Sequence, residues 1–307
     1  MNNLWENLTG YYTLLWYVNA CTRTCFRRFE VKGLENIPKE GPIIFASNHC
    51  NALMDPLVIL RAYKKVTCFG TRADLFRKPK TAALLRWLRM VPLARHERDS
   101  MESVAHNREV FEEIAELVKH IPFALFVEGT HRTKHSLMKL RKGVFVISDH
   151  TLDHGAEQVA VVPVGLDYQD YFRFMSDIKV SFGEPMIYKG GEDKKQLLEE
   201  LYGRMSKLIT FFPDDENYDK AYAEYAEAHK PSRKWWKYVI AVVLLPLFAA
   251  CGIICSPIII ASELLTARMQ DKAWSNTVKL GFRLPFFFIW PFHSAFYLIL
   301  NFYNSLI

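Results

Sequence analysis

Residues 47–55 read Ser-Asn-His-Cys-Asn-Ala-Leu-Met-Asp and place a histidine and a carboxylate close together in the chain. A carboxylate beside a histidine accepts one ring N–H, fixes the tautomer and stabilises the imidazolium that forms on proton uptake. His49 and Asp55 therefore form a candidate general-base pair. Two structural alternatives stay open: His49 as a hydrogen-bonded histidine at a loop edge, and Asp55 as the N-cap of a helix that starts at Pro56.

A second polar group follows the apolar run 123–127. Glu128, Gly129 and Thr130 form a turn in which the glycine permits close approach of the backbone to a ligand. The stretch after it, 131–143, contains no acid and the basic residues Arg132, Lys134, Lys139, Arg141 and Lys142. Such a cluster suits a phosphate group, and the alternative interpretation is a solvated or membrane-facing basic surface.

Two shorter patterns say little by themselves. Residues 90–95 form a short predicted strand that delivers Arg95. Residues 161–165 read as a buried strand that Pro163 interrupts, as at an edge or a bulge, and taken alone they are best interpreted as plain core. Cys50 is a rival nucleophile, but adjacent residues of an extended chain point to opposite sides, so it would face away from its supposed base. A metal-dependent hydrolase is disfavoured, because no HExxH or paired histidine–carboxylate spacing appears.

The elements that must position these residues alternate between β-rich runs and amphipathic helical runs over 30–212, which predicts an α/β fold. The predicted strands are Pro42–Ala46, Val66–Phe69, Val91–Ala94, Phe123–Val127, Val159–Val164 and Lys179–Phe182. Helices are predicted at Met101–His120 and Lys194–Phe212, where apolar residues recur on one side. Because ligands bind at the carboxyl ends of strands in open α/β sheets, we expect the polar groups at that edge.

Apolar residues are concentrated near the two ends of the chain. Tyr238–Ser262 contains no acid or base, and Leu284–Ile307 has only His293 able to take up charge. Each segment is long enough to cross a bilayer, which needs about 20 apolar residues. The alternative is a buried core helix, although core helices of that length usually show a polar stripe. Prolines in both favour kinks or re-entrant hairpins, so the number of crossings stays open. Leu8–Thr22 is too short to cross comfortably and fits an interfacial helix.

The charge distribution favours a membrane surface over nucleic acid. The net charge of +6 is modest for a nucleic-acid binder and natural on an anionic leaflet. Arg233, Lys234 and Lys237 precede the first long apolar segment, so the positive-inside rule places the preceding globular part in the cytoplasm. We therefore expect all six cysteines to be reduced. The predicted organisation is an interfacial helix at 1–29, a central α/β domain at 30–212, a polar linker at 213–234 and a membrane region with two hydrophobic segments at 235–307.

Four motifs in this order, NHCNALMD, VPLAR, VEGTHR and VPVG, resemble the four sequence blocks of the glycerolipid acyltransferase family. That family includes lysophosphatidic acid and glycerol-3-phosphate acyltransferases. The resemblance extends over residues 30 to 190 and leaves the hydrophobic C-terminal region outside it. It implies a mixed, largely parallel sheet flanked by helices.

The resemblance also implies a role for each block. His49 would be the general base with Asp55 as its partner, and Arg95 would contact the phosphate of the acceptor. Glu128 and Gly129 would line the acceptor site, and the fourth block would shape the acyl-donor side. The complete expected substrate-binding set is Arg95, Glu128, Gly129, Thr130, Arg132, Lys142 and Pro163.

The sequence departs from the usual family pattern at three points. Five residues, rather than four, separate His49 from Asp55, a spacing shared by branches that resemble fungal glycerol-3-phosphate or dihydroxyacetone-phosphate acyltransferases. Val127 stands where the family usually has proline, and His131 stands where it often has arginine. The preference for a particular acceptor is therefore not carried over.

The predicted function is a membrane-bound acyltransferase. It would move a fatty acyl group from acyl-CoA or acyl-carrier protein to a hydroxyl of a lysophosphatidic acid or related glycerophospholipid precursor, by direct attack without an acyl-enzyme. Glycerol-3-phosphate or dihydroxyacetone phosphate is the alternative acceptor, and a non-catalytic membrane lipid-binding protein is the alternative of another class. The expected partners are the bilayer, the thioester donor and the phosphate-bearing acceptor, with no cofactor, metal or nucleic acid.

Overall fold

The computed structural model describes residues 10–94, 107–229 and 235–305. Its strands are β1 Phe29–Lys32, β2 Ile43–Ser47, β3 Cys68–Arg72, β4 Met90–Leu93, β5 Phe123–Phe126, β6 Val159–Tyr168, β7 Ile178–Phe182 and β8 Met186–Tyr188. Its α-helices are α1 Tyr11–Arg23, α2 Met54–Tyr63, α3 Pro79–Trp87, α4 Asn107–Val118, α5 Gly143–Asp153, α6 Lys194–Ser206, α7 Tyr218–Ala228, α8 Trp235–Arg268, α9 Ser275–Arg283 and α10 Trp290–Asn304.

The eight strands form one mixed sheet with the order β1-β7-β6-β2-β5-β3-β4, and β8 pairs with β6 beside β7. The pairs β1–β7, β6–β2, β2–β5, β5–β3 and β3–β4 are parallel, whereas β6–β7 and β6–β8 are antiparallel. The predicted α/β fold with a mixed, largely parallel sheet is confirmed. All six predicted strands are present, and β1 and β8 were not predicted.

Alternate residues of the central strand β2 enter two different hydrophobic cores. Ile44 and Ala46 pack on the face covered by α4, α5 and α6, while Phe45 packs on the opposite face with α2. Leu280 of α9 and Tyr297 of α10 belong to the same core as Phe45. The C-terminal region therefore packs against the α2 face of the sheet.

Pro163 lies in the middle of β6, a buried ten-residue strand inside the sheet, which agrees with the core interpretation and places the proline away from a strand edge. One side of β6 pairs with β8 through residues 159–161 and with β7 through residues 164–168. Pro163 falls in the gap between these two pairings, where its missing N–H leaves no ladder bond unmade. Its carbonyl still accepts a hydrogen bond from the Gly183 N–H at 2.8 Å.

The predicted helices are present with shorter limits. The described part of the first is α4, since residues 101–106 lie outside the described residues. The second ends at Ser206 rather than Phe212, and Asp193 caps its start by accepting the Lys195 N–H. In the N-terminal helix α1, Tyr12 and Trp16 are exposed, and its interfacial position stays a prediction.

Helix α8 contains the predicted apolar segment Tyr238–Ser262, extends over 34 residues and includes Pro246 and Pro257. Within the described residues it is the one helix long and apolar enough to cross a membrane, and only 17% of its most apolar 18-residue window is buried. A core helix would be mostly buried. The second predicted segment divides into a 3₁₀ turn at Phe287–Ile289 and α10, which at 15 residues is shorter than a bilayer crossing requires.

Candidate active site

The two polar groups predicted from sequence meet at the carboxyl edge of the sheet. Ser47 ends β2 and pairs with Phe126, which ends the adjacent parallel strand β5. The Val127 N–H continues the ladder by donating to the Ser47 carbonyl at 3.1 Å. His49 and Glu128 therefore each lie two residues beyond neighbouring strand ends.

The structure brings His49 and Asp55 into direct contact, with 2.6 Å between Nδ1 and Oδ2. The same carboxylate oxygen accepts the N–H groups of Cys50 at 2.7 Å and Asn51 at 2.8 Å. The Tyr168 hydroxyl donates to the other oxygen at 2.7 Å. Asp55 has no exposed surface, so these four donors replace water around the carboxylate. Because an ionised carboxylate only accepts, Nδ1 of His49 carries the hydrogen and Nε2 faces away as the basic nitrogen.

A tight turn accommodates the five residues between His49 and Asp55. The Met54 N–H donates to the Asn51 carbonyl at 2.9 Å, and Ala52 adopts a φ of 40° within this turn. Helix α2 begins at Met54 and holds Asp55 in its first turn, with no side-chain cap. Asp55 is thus not an N-cap, and its side chain turns back to the loop before the helix.

Two aromatic side chains also contact the His49 ring. The ring stacks on Phe126 with 4.1 Å between centroids, and it meets His131 edge to face at 5.3 Å. The His49 side chain is 18% exposed. Among the described residues, no group forms a hydrogen bond with its Nε2 atom. That nitrogen is available to a substrate hydroxyl.

Glu128 is buried and secures the backbone around His49. Its two oxygens accept the N–H groups of His49 at 2.9 Å and Met138 at 2.8 Å. Burial raises the pKa of Glu128, although these two hydrogen bonds oppose the rise. Gly129 follows with a φ of 72°, and the Arg132 N–H then donates to the His49 carbonyl at 3.0 Å. The carboxylate thus faces the loop of His49 rather than open space.

The predicted phosphate-binding cluster is partly neutralised. Arg132 forms an ion pair with Asp214, and Lys134 contacts the same carboxylate at 2.9 Å. These contacts lower the pKa of Asp214, the Lys134 hydrogen bond contributing most. Asp214 lies in the segment predicted as a linker, and no local motif indicated that it pairs with Arg132 and Lys134.

The other predicted substrate-binding residues have different surroundings. Thr130 is half-buried beside Gly129, and Lys142 is exposed immediately before α5. Pro163 is buried opposite Ala46 in the sheet and has no hydrogen bond to His49 or Asp55. Arg95 lies outside the residues that the structure describes.

Cys50 is buried beside the site, and its environment disfavours a thiolate. Burial raises the pKa of the thiol well above its usual value, and the negative charges of Asp55 and Glu128 raise it further. Its sulfur contacts the Asn48 side-chain nitrogen at 3.1 Å. In the described ranges, no group of three His, Cys, Asp or Glu side chains is arranged to hold a metal ion.

Three contacts of the site were not foreseen from the sequence. Tyr168 reaches Asp55 from a position 113 residues later in the chain. Asn48 is buried and exchanges two hydrogen bonds with the backbone of Leu166, which fixes the loop to β6. Asp271 contacts His131 across 140 residues. None has a local motif, since each depends on strand order or on the packing of the C-terminal region.

Comparison with known proteins gives one family match and one similar solved structure. The family model described as acyltransferase matches residues 28–167. Among solved structures, the chain is similar to the 1-acyl-sn-glycerophosphate acyltransferase PlsC from Thermotoga maritima, with 19% identity and a TM-score of 0.48, over 66% of this chain and 81% of that one. No curated protein sequence matches.

The predicted family is confirmed, and residues 28–167 belong to the acyltransferase family, so the chain is an enzyme that transfers acyl groups. The matched segment contains His49, Asp55 and Glu128 and ends one residue before Tyr168. Helices α8 to α10 lie outside it.

Proposed function

We propose that the protein transfers a fatty acyl group from a thioester, acyl-CoA or acyl-carrier protein, to a hydroxyl of a lysophosphatidic acid or a related phosphate-bearing glycerolipid precursor. The observation that carries the proposal is the 2.6 Å contact between His49 Nδ1 and the buried carboxylate of Asp55. Together with the match to the acyltransferase family, it supports His49 as the general base.

The reaction proceeds by direct attack. Nε2 of His49 removes the proton of the acceptor hydroxyl while the oxygen adds to the thioester carbonyl. Asp55 stabilises the imidazolium that forms, and its four hydrogen bonds keep it in place during this change. The tetrahedral intermediate then expels the thiolate, which takes up the proton from His49 or from water.

Two backbone N–H groups are suitable donors to the oxyanion. The turn at Gly129 is closed by its own N–H donating to the Phe126 carbonyl, and the Arg132 N–H is used by His49. Between them, the N–H groups of Thr130 and His131 donate to no acceptor in the described part of the chain. Preorganised backbone donors of this kind stabilise the charge that develops on a carbonyl oxygen.

The substrates explain the hydrophobic C-terminal region. Both a long-chain thioester and a lysolipid partition into a membrane, and α8 provides a largely exposed apolar helix of sufficient length to enter one. We propose that the enzyme lies at the cytoplasmic face, with the basic cluster around Arg132 near the phosphate of the acceptor.

The test is an acyl-transfer assay on the detergent-purified full chain. Acyl-CoA and acyl-carrier protein are each offered with lysophosphatidic acid, glycerol-3-phosphate, dihydroxyacetone phosphate and other lysophospholipids, and the His49→Ala variant is measured beside the wild type. Transfer that disappears in the variant supports the proposal and identifies the acceptor. Equal rates in both proteins refute His49 as the base, and no transfer to any acceptor refutes the substrate class.

A further inference from the structure

The connection between α8 and α9 reaches the candidate active site from outside the matched family segment. We call residues 269–276 the docking turn; it contains the 3₁₀ helix Lys272–Trp274. One contact is a hydrogen bond between Asp271 Oδ2 and His131 Nε2, with 2.6 Å between the two atoms. The Trp274 ring also meets the His131 ring edge to face, with 6.5 Å between centroids.

A second contact attaches the docking turn to the loop that carries the base. The buried side chain of Asn276 donates to the Tyr171 carbonyl at 2.9 Å. Asn51, four residues before Asp55, donates to the same carbonyl at 3.0 Å. The docking turn is therefore linked to both loops around His49, one through His131 and one through the shared carbonyl.

Hydrogen bonds hold the docking turn in one conformation. The position of Asp271 therefore determines where the His131 ring lies. Asp271 uses its other oxygen, Oδ1, to cap the 3₁₀ helix by accepting the Ala273 N–H at 3.1 Å. Lys272 donates to the Thr266 and Ala267 carbonyls at the end of α8, at 2.8 and 3.0 Å. The docking turn thus connects the end of α8 to the Asp271 carboxylate and holds that carboxylate in one orientation.

The surroundings of Asp271 favour its ionised carboxylate. Burial, the largest single influence, would raise the pKa of Asp271, but the hydrogen bonds from His131 and from the Ala273 N–H, together with the electrostatic effect of His131 and His49, outweigh it, and the pKa lies below its usual value. His131 is 22% exposed and Asp271 is 51% exposed at the side chain, so the pair lies at the mouth of the site. The His131 ring forms one wall beside His49.

We propose that the C-terminal region completes the active site, with Asp271 as a positioning residue that keeps the His131 ring against His49. The inference rests on the proposed function and extends it. The docking turn, which follows the apolar helix α8, also positions the His131 ring, one wall of the catalytic cleft. Asp271 acts through His131 and touches no reacting atom. A displacement of about 1 Å in a positioned group is enough to cost large factors in rate.

The experiment is a double-mutant cycle on the full-length protein, assayed with acyl-CoA and lysophosphatidic acid. Asp271→Ala, which removes the acceptor, and His131→Gln are each expected to lower kcat by about tenfold, with the KM for acyl-CoA within about twofold of the wild type. Because both variants remove the same contact, the double variant should lose no more than the larger single loss. Asp271→Glu, which keeps the carboxylate, should recover part of the rate.

Glu263→Gln is the matched control. Glu263 accepts a hydrogen bond from the Tyr297 hydroxyl at 2.6 Å and contacts Lys279 at 2.8 Å. The Glu263→Gln substitution therefore removes an ion pair from the same region without changing a contact of His131. Its rate should equal that of the wild type. Wild-type kcat in Asp271→Ala, multiplicative losses in the double variant, or an equal loss in Glu263→Gln would overturn the inference. The proposed function is tested separately by His49→Ala, whose loss stands whatever Asp271 does.

Discussion

Replacing Asp55 by asparagine separates the charge of this residue from its geometry. Two backbone N–H groups and His49 Nδ1 all converge on Oδ2, so the single amide oxygen of asparagine must take that position. The amide NH₂ then faces the Tyr168 hydroxyl, which can accept a hydrogen bond. The Asp55→Asn variant should therefore keep the loop and the orientation of His49 while it loses the negative charge.

The expected loss follows from the charge on the imidazolium. Two unit charges about 4 Å apart attract by about 4 kcal/mol at an effective dielectric constant of about 20. Since about 1.4 kcal/mol corresponds to a factor of ten in rate, kcat should fall about a thousandfold. KM should change little, because the charge pair forms only as the proton moves. Neutral hydrogen bonds replace charge-assisted ones, so the unfolding free energy should fall by about 1–2 kcal/mol.

The assay is steady-state acyl transfer with the wild type, Asp55→Asn, His49→Ala and the double variant, together with denaturant unfolding of each. The double variant should be no slower than His49→Ala alone, because Asp55 acts through His49. A loss of kcat below tenfold would refute the argument, as would a loss that appears only in KM. Collapse of the fold in Asp55→Asn would show that the amide cannot satisfy the donors as described.

Three further predictions concern neighbouring residues. Cys50→Ser should retain turnover within about threefold, because the thiol stays protonated; a loss as large as in His49→Ala would indicate a covalent route. Glu128→Gln should lower stability by about 1–3 kcal/mol and reduce kcat, since one oxygen cannot serve two separate N–H donors; wild-type stability would contradict this. The raised pKa of Glu128 makes its contribution to stability fall as pH rises through its titration, so the wild type should lose more stability over this range than Glu128→Gln in pH-dependent unfolding. Asp214→Asn should free Arg132 and Lys134 and lower the KM for a phosphate-bearing acceptor, with no change for the acyl donor; an unchanged acceptor KM would place the phosphate elsewhere.

The central strands β2 and β6 were predictable from sequence because they are buried on both faces and read as apolar runs. All residues of β2 are buried, for example. The strands that were missed do not read as apolar runs of strand length: β1 contains the charged residues Glu30 and Lys32, and β8 has only three residues. The gap that accommodates Pro163 could not be predicted, because a gap between two partner strands is a property of the sheet and has no signature in the strand itself.

The contacts of the site that are local in the chain could also be predicted from sequence, whereas the distant contacts could not. His49 and Asp55 are six residues apart, so a single turn brings them together and the pair can be recognised in the sequence. Tyr168 and Asp271 arrive by strand register and by helix packing, which one sequence does not encode in any short motif. The basic cluster could be recognised from composition. Its pairing with Asp214 depends on the position that the segment after α6 takes in the fold.

The turn at Ala52 explains how the chain accommodates five residues between the base and its partner, and it leads to a last prediction. Ala52 is buried and adopts a φ of 40°, which costs an L-residue about 1–2 kcal/mol. Ala52→Gly removes that strain but adds about 0.5–1 kcal/mol of backbone entropy, so the unfolding free energy should change by less than about 1 kcal/mol and kcat should stay within about twofold. Ala52→Val should cost more than about 2 kcal/mol, because a branched side chain meets both the positive φ and the packed surroundings. Urea unfolding and acyl transfer of both variants provide the measurement. Full stability in Ala52→Val would mean that Asp55 reaches His49 through a different loop conformation.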